Sequence, residues 1–104
     1  MITSFRDLLA WLDGRGLLAR VARPVDPAFE LAAVLRKTQK GPNVGLLFEN
    51  VKNSPARVAT NVMSRRETLA AALGLAPERL LPDLATRVAK AIPPETAAAA
   101  PIQE

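Results

Sequence analysis

The chain has 104 residues, of which 49% are apolar, and its 14 Lys and Arg exceed its 10 Asp and Glu for a formal net charge of +4. It contains no Cys and no His, which excludes disulfides, thiolate nucleophiles, Cys-based metal sites and the commonest general base. The length suits one small domain. Asp7 and Asp13 interrupt any signal-peptide core, and no window is long and apolar enough for a membrane span, which favours a cytoplasmic location.

The first part of the chain predicts a helix, a strand and a second helix. Apolar residues at helical spacing follow Ser4 and predict a helix over about 5–13, closed by Gly14. A run over about 17–23 that carries Arg on one side predicts a strand. Asp26, followed by proline, predicts the start of the second helix, because Asp accepts from free amides and proline suits the first helical position.

The middle of the chain predicts a hairpin that leads into a helix. Two apolar runs, at about 45–51 and 56–62, flank a cluster of turn-forming residues and predict two strands joined by a tight loop. Ser64 and Glu67 have the spacing of a capping box, which predicts that a third helix begins there. Gly74 follows the apolar positions of that helix and predicts its end.

The C-terminal part predicts a turn, a fourth helix and an arm. Prolines predict a short turn at 77–81 and a main helix from about 82. Small residues bracketed by prolines give residues 93–104 the character of a linker or arm, which leaves 1–92 as the folded domain. We therefore predict an α+β fold: a small, mostly antiparallel three-stranded sheet with about four helices packed on one side of it. The long connection between the first two strands leaves their pairing open.

A candidate site for an anion or a partner lies where the third helix begins. Asn61, Ser64, Arg65 and Arg66 cluster there, and a helix N-terminus with free amides favours anions. The alternative is that both guanidinium groups are solvated or paired with a nearby carboxylate, at negligible net energy. No pair of acidic residues has the spacing for acid–base work, and no glycine pattern cradles a phosphate. No catalytic, cofactor or metal site is predicted on this chain.

Short motifs in series carry a resemblance to a known family. They read Ser-Phe-Arg-Asp-Leu at 4–8, Arg-Gly-Leu-Leu-Ala-Arg-Val at 15–21, Arg-Pro-Val-Asp-Pro at 23–27, Leu-Leu-Phe-Glu-Asn-Val-Lys at 46–52, and Asn61 with Ser-Arg-Arg at 64–66 and Leu-Gly at 73–74. Together they resemble the N-terminal domain of UbiD-like decarboxylases. These enzymes use prenylated FMN to remove or add a carboxyl group on unsaturated and aromatic acids. The family usually has a glycine between the residues matching Met63 and Ser64, which this chain lacks.

The resemblance implies a supporting role. In the family, the flavin, its metal ions and the catalytic residues belong to the domain that follows. We therefore expect a non-catalytic N-terminal domain or small subunit of a decarboxylase assembly, inactive when isolated and without cofactor of its own. Its expected partner is a UbiD-like flavin-binding domain or larger subunit within an oligomer. A stand-alone regulator that competes for the same docking surface is a further possibility.

A different class of function is a small basic module that binds nucleic acid or another anion. The isoelectric point near 10.4 and the adjacent arginines favour it. The dispersed charge and the shortage of aromatic residues argue against nucleic acid, which is bound through stacking surfaces and continuous basic tracks.

Overall fold

The computed structural model describes residues 2–100, which fold as a sheet with helices on both faces. In chain order the elements are α1 (Phe5–Gly14), β1 (Leu18–Val21), α2 (Glu30–Lys40), β2 (Gly45–Phe48), β3 (Val58–Thr60), α3 (Arg66–Leu73), a 3-10 turn (Pro77–Arg79) and α4 (Leu80–Ala89). The predicted α+β class is confirmed, and the described part of the chain has the three strands and four α-helices expected.

The sheet is mixed, with β2 in the middle. β1 pairs with β2 in parallel, with Leu18 opposite Gly45, whereas β3 pairs with β2 antiparallel, with Leu46 opposite Thr60. The parallel pair settles the pairing that the sequence left open. Parallel neighbours need a long crossover, and α2 supplies it, whereas a tight loop is enough for the antiparallel pair. One of the two strand pairs is therefore parallel, whereas a mostly antiparallel sheet was predicted.

Two apolar clusters lie on opposite faces of the sheet, because successive side chains of a strand point to opposite sides. One cluster joins α1 to the sheet through Leu8, Leu12, Leu18 and Leu47. The other contains Val25, Leu46, Phe48 and Val51, against which Leu31, Val34 and Leu35 of α2 pack. All four residues of β2 are buried. The prediction that the helices pack on one side is therefore wrong, since α1 and α2 cover different faces.

A capping box begins α1. The Asp7 amide donates to Ser4 Oγ at 3.1 Å, and the Ser4 amide donates back to Asp7 Oδ2 at 3.0 Å. These two bonds satisfy amides that a helix start leaves without partners. The side chain and amide of Thr3 also donate to the same carboxylate oxygen, at 2.8 and 3.1 Å. The first helix is thus fixed at its N-terminus by local hydrogen bonds.

Acid is expected to weaken this cap. Hydrogen bonds from Thr3 and then Ser4 hold the pKa of the Asp7 carboxyl below its ordinary value of 3.8. A depressed pKa in the folded state contributes stability that is complete above the unfolded value and is lost as pH falls through the lower folded value. The urea midpoint of the unmodified chain should fall as the pH is lowered below about 4, and we expect a smaller fall in Asp7→Asn, which lacks this carboxyl group. Unfolding curves across that pH range test this, with Glu95→Gln in the exposed C-terminal segment as the control; an unchanged slope in Asp7→Asn would contradict it.

The second helix begins later than predicted. Asp26 Oδ1 accepts from the Ala28 amide at 2.9 Å, and the Asp26 carbonyl accepts from the Leu31 amide at 3.1 Å. The Asp-Pro pair therefore organises a turn over 27–29, and α2 begins only at Glu30. The residue that caps α2 is Phe29, whose side chain cannot accept a hydrogen bond. The predicted helix start is a turn start instead.

The fourth helix begins at Leu80, with Pro82 in its first turn, where a missing N–H removes no helical hydrogen bond. Arg87 Nη1 donates to the Leu73 carbonyl at 2.7 Å and so ties α4 to the end of α3. Residues 91–100 lie outside the helices and strands; residues 101–104 of the predicted arm lie outside the described part of the chain. Whether the domain ends at residue 92 stays a prediction. Within residues 2–100, no helix has the length and apolar character to cross a membrane.

Candidate functional site

The loop between α2 and β2 and the turn between β3 and α3 are joined by asparagine side chains. Asn61 Nδ2 donates to Asn43 Oδ1 at 3.1 Å and to the Val44 carbonyl at 2.8 Å. Gln39 Nε2 donates to Asn61 Oδ1 at 3.2 Å. Asn43 and Asn61 have φ values of 47° and 56°, in the left-handed region that Asn tolerates better than most residues. Asn61 therefore holds two loops together.

Ser64 belongs to the same joint. Its Oγ donates to the Asn43 carbonyl at 3.2 Å, and its own carbonyl accepts from Asn43 Nδ2 at 3.4 Å. Since α3 begins at Arg66, the capping position is Arg65, which makes no side-chain cap. Ser64 lies one residue too early to cap the helix. The predicted capping box between Ser64 and Glu67 is therefore wrong, and the hydroxyl binds across to the neighbouring loop.

Arg65 directs its guanidinium group at the same loop. Its Nε donates to the Asn43 carbonyl at 3.3 Å, and its Nη2 donates to the Pro42 carbonyl at 2.8 Å. Its Nη1 lies 3.4 Å from Glu67 Oε1, a half-exposed ion pair of small net energy. Three of its nitrogens are thus engaged within the chain, which leaves little of the guanidinium group for an external anion.

Arg66 points elsewhere. Its Nε donates to the Pro77 carbonyl at 3.3 Å and so connects the start of α3 with the 3-10 turn. The structure therefore brings Asn61, Ser64 and Arg65 together around Asn43 and places Arg66 on a separate contact. The pairing of Arg65 with Glu67 agrees with the alternative of a carboxylate partner, whereas the bonds of Arg65 and Arg66 to backbone carbonyls belong to neither interpretation. The anion-binding interpretation stays a prediction without support from this geometry.

Asn43 is the residue that sequence reasoning missed. It follows Gly41 and Pro42, and these three residues predict only a break after α2. Its carbonyl accepts from Ser64 Oγ and Arg65 Nε, its Nδ2 donates to the Ser64 carbonyl, and its Oδ1 accepts from Asn61 Nδ2. The one local signal was that Asn is enriched where the backbone adopts positive φ.

The described residues offer no metal centre. Between residues 2 and 100, no group of three or more His, Cys, Asp or Glu side chains lies close enough to hold a metal ion. Asp13 and Asp83 each pair with an arginine, at 2.8 and 2.9 Å, so these carboxylates are neutralised by local partners. The geometry supports contacts between loops and does not assemble an acid–base pair.

Comparison with known proteins identifies the domain. The sequence model of the 3-octaprenyl-4-hydroxybenzoate carboxy-lyase N-terminal domain matches residues 9–88. The chain belongs to this UbiD N-terminal domain family. An uncharacterized protein of Synechocystis sp. is 36% identical over 89 residues, which are 86% of this chain and 18% of that protein. The predicted resemblance is confirmed.

Solved structures that resemble this domain include a UbiD-class enzyme and a vanillic acid decarboxylase. An evolved dimeric form of HmfF from Pelotomaculum thermopropionicum, in complex with prFMN, is 39% identical with a TM-score of 0.79; the match covers 88% of this chain and 21% of that one. The vanillic acid decarboxylase of Sedimentibacter hydroxybenzoicus is 29% identical with a TM-score of 0.66, over 74% of this chain and 17% of that one. This UbiD N-terminal domain therefore spans about a fifth of the relatives that it matches.

Proposed function

We propose that this chain is a non-catalytic N-terminal domain or small subunit of a UbiD-like, prenylated-FMN-dependent decarboxylase or carboxylase. Its role is to support the flavin-binding part and the assembly of the oligomer. The observation that carries the proposal is the coverage: the family match spans residues 9–88, yet the matched region is only about a fifth of enzymes such as HmfF. Most of the length of such an enzyme lies outside the matched region and is available to form a flavin-binding domain.

The side chains of this domain agree with a supporting role. The family's cofactor needs metal ions, and the described residues contain no cluster of metal-binding side chains that fits them. The arginines at the start of α3 bind backbone carbonyls of the chain itself. No catalytic step is therefore assigned to these residues, and the prenylated FMN with its metal ions is assigned to the partner polypeptide.

An exposed apolar stripe on and after α4 also supports an assembly role. Leu81 and Val88 lie seven residues apart on α4, at helical spacing, and are 64% and 70% exposed; Ile92, which is 90% exposed, follows the end of the helix. Large contiguous apolar surfaces on small proteins mark contacts with other polypeptides. A domain covered by a larger flavin-binding part would bury this stripe.

The test uses the purified 104-residue chain and a tagged copy isolated from its native host. The chain alone is expected to show no flavin absorbance and no decarboxylase activity. The tagged copy is expected to co-isolate with a larger polypeptide that carries flavin and has the activity. Flavin bound to the chain alone would contradict the proposal, as would a partner without flavin. Fractionation of the same cells tests the cytoplasmic location that we also propose.

A further inference from the structure

Three arginine side chains surround an open groove on the α1 face of the sheet. Arg6 comes from α1, Arg20 from β1, and Arg57 immediately precedes β3. The groove consists of two adjoining depressions of about 260 and 280 Å³, both lined by Arg6, Arg57, Leu9 and Leu47. We call this surface the arginine groove. It arises because the residues at its rim, distant in sequence, meet where α1 leaves part of the sheet uncovered.

The arginine groove carries excess positive charge. Arg20 Nη2 lies 2.8 Å from Asp13 Oδ2, and this pairing accounts for the one carboxylate that lines the groove. Arg6 and Arg57 make no ion pair with any residue of the described part of the chain, and both are exposed. Like charges held around one groove repel each other, and an anion between them relieves that repulsion. The unbalanced groups are therefore Arg6 and Arg57.

The floor of the groove is apolar, which narrows the class of ligand. Leu47 and Leu9 lie at the base, and Phe5, which is 55% exposed, stands at the rim. Leu47 is only 5% exposed, so the apolar surface open to a ligand is that of Leu9 and Phe5, which an inorganic phosphate would leave in contact with water. Guanidinium groups match the planar fork of a carboxylate, and an apolar side chain beside it would cover Leu9 and Phe5. The chemistry points to a polypeptide segment that presents Asp or Glu next to an apolar residue.

We propose that the arginine groove docks such an acidic segment of the flavin-binding polypeptide. The carboxylate lies between Arg6 and Arg57, and the adjacent apolar side chain packs over Leu9 and Phe5. This inference rests on the proposed function and adds the surface and the partner chemistry to it. The apolar stripe on and after α4 leaves the charge of a partner open, whereas the arginine groove requires that the docked segment be acidic.

Charge reversal tests the docking. Arg6→Glu with Arg57→Glu is compared with Arg36→Glu with Lys52→Glu, which makes the same change in net charge at exposed positions outside the groove. The dissociation constant is measured against the flavin-carrying polypeptide identified by co-isolation, at low and at physiological salt. The groove variant is expected to bind at least about tenfold more weakly and the control within about twofold of the unmodified chain. Circular dichroism confirms that each variant is folded.

A chemical readout distinguishes contact from long-range charge. Arg57→Lys keeps the positive charge and adds an amine that a zero-length carbodiimide can join to a touching carboxylate as an amide, while the carbodiimide takes up the water lost. A cross-link from position 57 to an Asp or Glu of the partner is expected, and none from position 36 in Arg36→Lys. Equal binding by both charge-reversal variants, or a partner bound without that cross-link, would overturn the docking alone. Absence of any binding by the unmodified chain would overturn the proposed function with it.

Discussion

Phe48→Ala is expected to lower the free energy of unfolding by about 3–5 kcal/mol, the range for truncating a buried aromatic residue. Phe48 lies in the central strand and is 0% exposed. It packs with Val25, Leu46 and Val51, against which α2 lies. The substitution removes apolar contacts and leaves a cavity between the sheet and α2, because a dense core relaxes only in part.

Phe29→Ala is the matched control for this substitution. Phe29 is 85% exposed at the start of α2, so the same truncation removes little buried surface. Its expected cost is within about 0.5 kcal/mol. Urea unfolding of both variants measures the difference. Because small domains are stable by only about 5–15 kcal/mol, Phe48→Ala should leave the domain marginal at best. Equal losses in the two variants would show that Phe48 does not anchor the core.

The spacing of apolar residues predicted the helices and strands themselves, because the side chains that an element buries recur at regular intervals within that element. The strands at 45–48 and 58–60 lie within the predicted runs, and α1 ends at Gly14, one residue beyond the predicted end. The predicted cap of α3 was wrong for a different reason. Ser64 has the right local spacing for a cap, but a loop more than twenty residues earlier in the chain provides a competing acceptor. A local rule cannot weigh a partner brought in by tertiary structure.

The same distinction between local and long-range contacts applies to the asparagine joint and to the arginine groove. Asn61, Ser64 and Arg65 could be grouped from the sequence because they are neighbours, yet their common partner Asn43 could not. The arginine groove was invisible to sequence reasoning because Arg6 and Arg57 meet only through the topology, in which β2 lies between β1 and β3. The parallel pairing of β1 with β2 decides which residues surround the groove. Chemistry that depends on one segment is readable, and chemistry that depends on strand order is not.

Asn61→Ala is expected to cost about 2–3 kcal/mol, from loss of side-chain hydrogen bonds and from strain in the left-handed backbone. The Asn61 amide group donates to Asn43 Oδ1 and to the Val44 carbonyl, both part-buried. Alanine offers neither donor, so these acceptors lose their partner, and alanine also tolerates positive φ less well than Asn does. The joint between the two loops would then loosen, together with the start of α3.

Asn53→Ala separates these two causes. Asn53 has a φ of 62°, close to the 56° of Asn61, but its side chain is exposed. Within residues 2–100 it makes none of the side-chain hydrogen bonds that Asn61 makes. Its loss should reflect backbone strain alone, about 1 kcal/mol. Asn61→Gly, which relaxes the backbone but still lacks the amide, should lose the hydrogen-bond part alone. If urea unfolding gives the same loss for Asn61→Ala and Asn53→Ala, the asparagine joint adds nothing, and the position of α3 must depend on Arg65 and its bonds to the Pro42 and Asn43 carbonyls instead.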